Sequence, residues 1–158
     1  MSSTDRSPDC LIVGIGNLLM GDEGIGVHVI RQLEAGPSSP GVQYIDGGSG
    51  GFHLLDAFLR ARRVLMVDAT ADGAAAGTVR RLRPRYSSDY PRTLAAHDIG
   101  LKDLLDAAYL LGEELDVTLF AVSIRWPPET GTELSAELRA KIPAIVAKVR
   151  EEAMRPTA

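Results

Sequence analysis

The sequence predicts an α/β protein: a single-domain, three-layer α/β/α fold whose twisted, mostly parallel sheet has about five strands, including one antiparallel edge strand. Three observations predict it. Short, nearly unbroken apolar runs recur at residues 10–15, 64–67 and 117–122, as in central strands buried on both faces. Segments with apolar residues at helical spacing lie between such runs. The chain has 158 residues, 45% hydrophobic and 24% charged, enough for one sizeable core.

The elements follow in order. Residues 1–9, rich in Ser, Asp and Pro, read as a disordered tail; residues 10–152 form the domain and 153–158 a C-terminal tail. The first strand, 10–15, ends at Gly16-Asn17, two residue types that tolerate left-handed backbone. A helix over 24–33 carries Ile25, Val29, Ile30 and Leu33 on one stripe and stops at Gly36-Pro37. A second strand, 42–45, closes in Asp46-Gly47-Gly48-Ser49-Gly50-Gly51. Residues 52–59 form a helix with Leu54, Leu55 and Phe58 inward, and the third strand, 64–67, ends at Asp68. Residues 78–82 alternate and carry Arg80 and Arg81, which suits an edge strand, where charge discourages unwanted pairing. An amphipathic helix over 98–111 presents Ile99, Leu104, Leu105 and Ala108 and stops at Gly112. After the strand at 117–122 and a loop marked by Trp126-Pro127-Pro128, Ser135 caps a last helix running to about Glu152.

Composition removes several classes of function. A net charge of −4 argues against a nucleic-acid binder, and the pairs Arg62-Arg63 and Arg80-Arg81 read as solvated surface. Cys10 is the single cysteine, so no internal disulfide forms; it reads as a small core residue. The first nine residues hold no signal-peptide core, and no apolar stretch approaches the roughly 20 residues of a membrane helix, so the expectation is a cytoplasmic protein without membrane contact.

The chemistry concentrates in three fragments. These are Gly14-Ile15-Gly16-Asn17 with Gly21-Asp22-Glu23-Gly24, Val67-Asp68-Ala69, and Ala96-His97-Asp98-Ile99-Gly100. Each lies where a strand gives way to a loop or a helix start, so a parallel sheet brings them to one edge. Each residue also has a plainer reading. Asp22 serves as helix N-cap, Glu23 complements the helix dipole, Asp68 caps the turn after its strand, and His97, like His28 and His53, is an ordinary histidine. Jointly, Glu23, Asp68 and His97 make a mixed nitrogen–oxygen set that suits zinc or nickel and leaves positions open for substrate. A metal-free alternative pairs Glu23 with Asp68 in acid–base catalysis. Gly14-Ile15-Gly16 lacks the third glycine of a dinucleotide loop, and no nucleophilic triad or His-Glu-x-x-His motif is present.

In order and spacing, these fragments resemble the maturation endopeptidases of [NiFe]-hydrogenases. Asp46-Gly47-Gly48-Ser49-Gly50, Gly77-Thr78-Val79, His97-Asp98-Ile99-Gly100-Leu101 and Leu134-Ser135 extend the likeness, which runs from about Cys10 to Val149. Glu23 stands where some members have Asp, and Ser49 where Thr is common; both keep the chemical type. The resemblance implies Glu23, Asp68 and His97 as catalytic and metal-contacting residues, with Asp46, Gly47, Gly48, Ser49 and Gly50 contacting the substrate tail. It implies the precursor of a hydrogenase large subunit as partner and substrate, cut to remove a C-terminal extension after nickel insertion. It implies that the nickel is supplied by that precursor and is not permanently bound. A nickel-dependent protein that docks the precursor without cutting it would use the same residues.

Overall fold

A computed structural model describes residues 7–48, 51–94 and 101–156. Its strands are β1 (Cys10–Gly14), β2 (Val42–Asp46), β3 (Arg63–Thr70), β4 (Val79–Leu82) and β5 (Val117–Ser123). They form one sheet in the order β2-β1-β3-β5-β4. β1 pairs parallel with β2 and β3, β3 pairs parallel with β5, and β4 runs antiparallel along the β5 edge. The helices are α1 (Ile25–Ala35), α2 (Leu55–Arg60), α3 (Leu101–Leu110), α4 (Ala136–Arg139) and α5 (Ile142–Met154).

Strand residues alternate between two cores, because successive side chains leave a strand on opposite faces. On one face Ile12, Leu65, Val67 and Phe120 meet Ile30 and Leu33 of α1 and Val149 of α5. On the other, Leu11, Val13, Met66 and Leu119 meet Phe58 of α2 and Leu104 of α3. Every residue of β1 and β5 is buried, which is why those strands read as continuous apolar runs. Phe58 and Leu104 are fully buried, each contributing about 1.5–3 kcal/mol. Cys10 belongs to the first core, and burial pushes its thiol up to about 11, as expected of an inert packing residue.

Three expectations change. β3 continues past Val67 because Asp68, Ala69 and Thr70 pair with Ala121, Val122 and Ser123 of β5. Asp68 therefore lies inside a strand and does not cap a turn. The last helix breaks into α4 and α5, with Pro143 in the first turn of α5. In a continuous helix that proline would lack its N–H and press on the carbonyl of Arg139; in a first turn neither matters. Arg81 lies at the surface as expected, but it also reaches a buried partner: its Nη2 and Nε donate to Glu152 Oε1 and Oε2 at 2.6 and 3.1 Å, and the Glu152 side chain is only 5% exposed. No residue other than glycine has positive φ among the described residues, so Asn17 turns the chain differently, by accepting the Leu19 N–H on its side chain at 2.9 Å. Residues 98–100, the expected start of the α3 helix, lie outside the described residues. No described helix is long and apolar enough to cross a membrane.

Candidate active site

The chain leaves β1 to form β2 on one flank, while β3 and the later strands lie on the other. The β1–β3 boundary is thus the point where strand order reverses, and in open α/β sheets the ligand crevice lies at such a point, beyond the carboxyl ends of the strands. Gly14, the last residue of β1, pairs with Val67, so Asp68 is the first residue of β3 to extend beyond its neighbour. It is fully buried, and its Oδ1 accepts the Ala69 N–H at 2.8 Å. Strand alternation puts its side chain on the face of Val64 and Met66.

The glycines of the first motif explain why Glu23 comes to the same edge. A Cβ on Gly14 would lie 2.2 Å from the Gly26 carbonyl oxygen, and one on Gly26 would lie 2.2 Å from that of Val67. A Cβ on Gly16 would lie 2.1 Å from the Glu23 carbonyl oxygen. Only glycine permits these approaches, and together they seat the start of α1 on the ends of β1 and β3. The room at Gly16 is filled by the chain itself, not by a phosphate-binding cradle. Glu23 sits in the 3-10 turn Gly21–Gly24 that leads into α1. It is half-buried, and burial raises its carboxyl above the ordinary value.

Asp22 does not cap its helix. Its Oδ1 accepts the Ser135 N–H at 2.7 Å and its Oδ2 accepts the Ser135 hydroxyl at 2.9 Å. Ser135 keeps its expected role as well, accepting the Leu138 N–H at the start of α4. Beside this contact, Gly21 N–H donates to Gly131 O at 2.8 Å and Gly131 N–H to Leu19 O at 2.9 Å. The loop before α4 is thereby stitched to the loop that carries Glu23. A cavity of about 360 Å³ lies along the seam, lined by Asp22, Glu129, Thr132, Glu133 and Ser135. His28 of α1 lies close to Thr132 in this seam, and burial, then Arg31, holds its pKa below the usual value. Sequence reasoning missed this second loop as part of the site, because no local spacing links it to Glu23.

Asp46 ends β2 level with Gly14, roughly 10 Å across the sheet from β3. Its Oδ1 accepts the Gly48 N–H at 2.9 Å, and Gly47 N–H and Gly48 O bond to Gly14 and Gly16. Asp46, Gly47 and Gly48 therefore lie at the same edge of the sheet. Ser49, Gly50 and His97 lie outside the described residues. Among the described residues, no three His, Cys, Asp or Glu side chains group closely enough to hold a metal ion. What the described residues bring to one edge is two carboxylate residues, Asp68 in a strand and Glu23 with raised proton affinity, beside the glycine turn that follows Asp46.

Fold and crevice define a doubly wound α/β protein with carboxylates at its switch point. The family model for HycI, hydrogenase maturation protease, matches residues 27–152, a stretch that begins after Glu23 and takes in Asp46, Asp68 and His97. The chain belongs to the hydrogenase maturation protease family. The hydrogenase expression/formation protein HupD of Thiocapsa roseopersicina is 36% identical over 112 residues, 67% of this chain and 49% of that protein. HoxM of Azotobacter vinelandii is 32% identical over 142 residues, 86% of this chain and 68% of that protein. The structure of the hydrogenase maturating endopeptidase HybD from E. coli matches with a TM-score of 0.79 at 30% identity, covering 90% of this chain and 93% of that one. The chain spans about half the length of the first curated relatives it matches. The mixed five-stranded α/β/α fold is shared with HybD.

Proposed function

We propose that this protein is an endopeptidase that removes the C-terminal extension of a [NiFe]-hydrogenase large-subunit precursor after nickel insertion. Glu23, Asp68 and His97 contact the nickel, which arrives as part of the substrate. The observation that supports this reading is the seating of the turn that carries Glu23 on the strand ends beside Asp68, in a chain of this family. An open set of ligands is a poor permanent cage but a good docking point for a metal already held elsewhere. Asp68, held by the Ala69 N–H inside a strand, suits a fixed ligand. Glu23, with its raised carboxyl, suits proton transfer. In this scheme Glu23 takes a proton from water as the water oxygen bonds to the scissile carbonyl carbon. The proton then passes to the leaving nitrogen as the C–N bond breaks, giving a carboxylate and an amine. The 46–48 turn lines the approach of the tail. Processing of a newly made precursor places the step in the cytoplasm.

The test is the intact mass of the host's large-subunit precursor after incubation with this protein, with and without nickel loading. Loss of a C-terminal peptide only from the loaded precursor is expected. Tight nickel-dependent binding with no mass change would replace the peptidase with a docking protein.

A further inference from the structure

A second concave site lies at the opposite end of the sheet. It is a cavity of about 400 Å³ beneath Val117, the first residue of β5, closed on one side by α3. In the register, Asp68 pairs with Ala121, four residues further along β5, about 13 Å away at strand rise. The cavity is therefore separate from the crevice.

Its floor is apolar, made by Tyr90, Leu105, Ala108, Leu115 and Val117. Tyr86 and Tyr109 stand at its mouth edge to face, with ring centroids 5.8 Å apart. Three carboxylates, Asp106, Glu113 and Glu114, line it with a single cation, Arg85. Arg85 is taken by Glu114 at 2.9 Å, and Asp106 accepts only the neutral Ser87 hydroxyl, at 2.7 Å, among its hydrogen bonds within the described residues. The lining is thus left negative. The Arg85 guanidinium already lies 6.0 Å from the Tyr86 ring centroid, so a guanidinium held between a tyrosine face and a carboxylate is the local chemistry. Tyr109 at the mouth is 66% exposed, and the chain beyond it at the end of α3 presents Leu110 and Leu111, 83% and 63% exposed. A small cation would leave that surface uncovered, whereas a polypeptide would cover it.

We propose that this cavity receives an arginine side chain flanked by apolar residues from a partner polypeptide. The guanidinium enters between Tyr109 and the carboxylates of Asp106 and Glu113, and the apolar neighbours cover Leu110 and Leu111. The proposal stands independently of the peptidase reading, because it uses no residue of the crevice.

The experiment titrates the full chain with acetyl-Leu-Arg-Leu-amide and with its citrulline counterpart, which keeps the shape and loses the charge. Amide chemical shifts locate the binding. The arginine peptide is expected to perturb residues 105–117 and to bind about five-fold more tightly than the citrulline peptide. Glu113→Gln combined with Asp106→Asn is expected to remove that preference. Tyr109→Ala, at an exposed position that leaves the core intact, is expected to weaken the arginine peptide by about five-fold. Equal binding of the two peptides, no binding, or shifts clustered at residues 21–24 would overturn the proposal. So would phenylguanidinium binding as tightly as the peptide, since the site would then serve a small cation.

Discussion

Asp22 and Ser135 are held together by two hydrogen bonds although 113 residues separate them in the chain. The pair joins the turn that presents Glu23 to the loop that begins α4. Asp22→Ala removes both bonds and leaves the Ser135 N–H without its carboxylate acceptor, so a loss of about 1–3 kcal/mol is expected. Ser135→Ala keeps the N–H bond to Asp22 but removes the hydroxyl, which also caps the Leu138 N–H, and should lose about 1–2 kcal/mol. Urea denaturation of both single variants and of the double variant tests the coupling, and a double-variant loss equal to the sum of the two single losses would refute the account.

Gly26 and Gly48 make a contrasting pair. An alanine Cβ at Gly26 would overlap the Val67 and Ile15 carbonyl oxygens, at 2.2 and 2.4 Å, which are backbone atoms at the end of the sheet. At Gly48 no atom lies within 4 Å, and the strain comes only from its φ of +53°. Gly26→Ala is expected to lose about 3 kcal/mol or more, Gly48→Ala about 1–2 kcal/mol. Thermal melts separate the two, and a Gly26→Ala protein as stable as the parent would show that the helix start can shift away from the strands.

Asp68→Asn retains an oxygen for the Ala69 N–H, so the fold should persist while precursor processing falls by about 100-fold or more. Folding is read by circular dichroism and processing by mass. Unchanged processing in a folded variant would remove Asp68 from the site.

Burial raises the Glu23 carboxyl above its ordinary value of 4.5, with two consequences for pH. If its carboxylate is the base, processing rises with pH as Glu23 ionises above 4.5, and Glu23→Gln abolishes that acidic limb along with most activity. For stability, the folded state holds this proton more tightly than the unfolded state. Its contribution is therefore most favourable below the unfolded value and declines as pH rises through the folded one. Glu23→Gln should lack this decline in denaturation curves taken through and above the ordinary carboxylate range.

Glu152 has the opposite sign, because the Arg81 guanidinium bonds it and holds its pKa down. The pair stabilises the fold above the ordinary carboxylate value and loses that contribution as pH falls through the depressed one. Arg81 is 40% exposed, so solvent screens the pair, and Glu152→Gln should lose about 1–2 kcal/mol near neutral pH. The gap between variant and parent should narrow in acid; a gap that widens would contradict the assignment.

The apolar runs in β1, β3 and β5 and the helical stripe of Ile25, Val29, Ile30 and Leu33 were legible in the sequence because burial on a sheet or helix imposes a local period. The same is true of Glu23 and Asp68 as residues of one edge, since position after successive parallel strands places them there. Local period does not encode pairing. Only the tertiary structure decided that β3 runs on through Asp68, because that extension rests on hydrogen bonds to β5 and not on apolar residues of its own. Only it decided that Asp22 belongs to Ser135 and Arg81 to Glu152, contacts whose partners lie far along the chain. Charge and hydrogen-bonding groups carry no period that names a distant partner; the register of the sheet and the seating of α1 on glycine choose it.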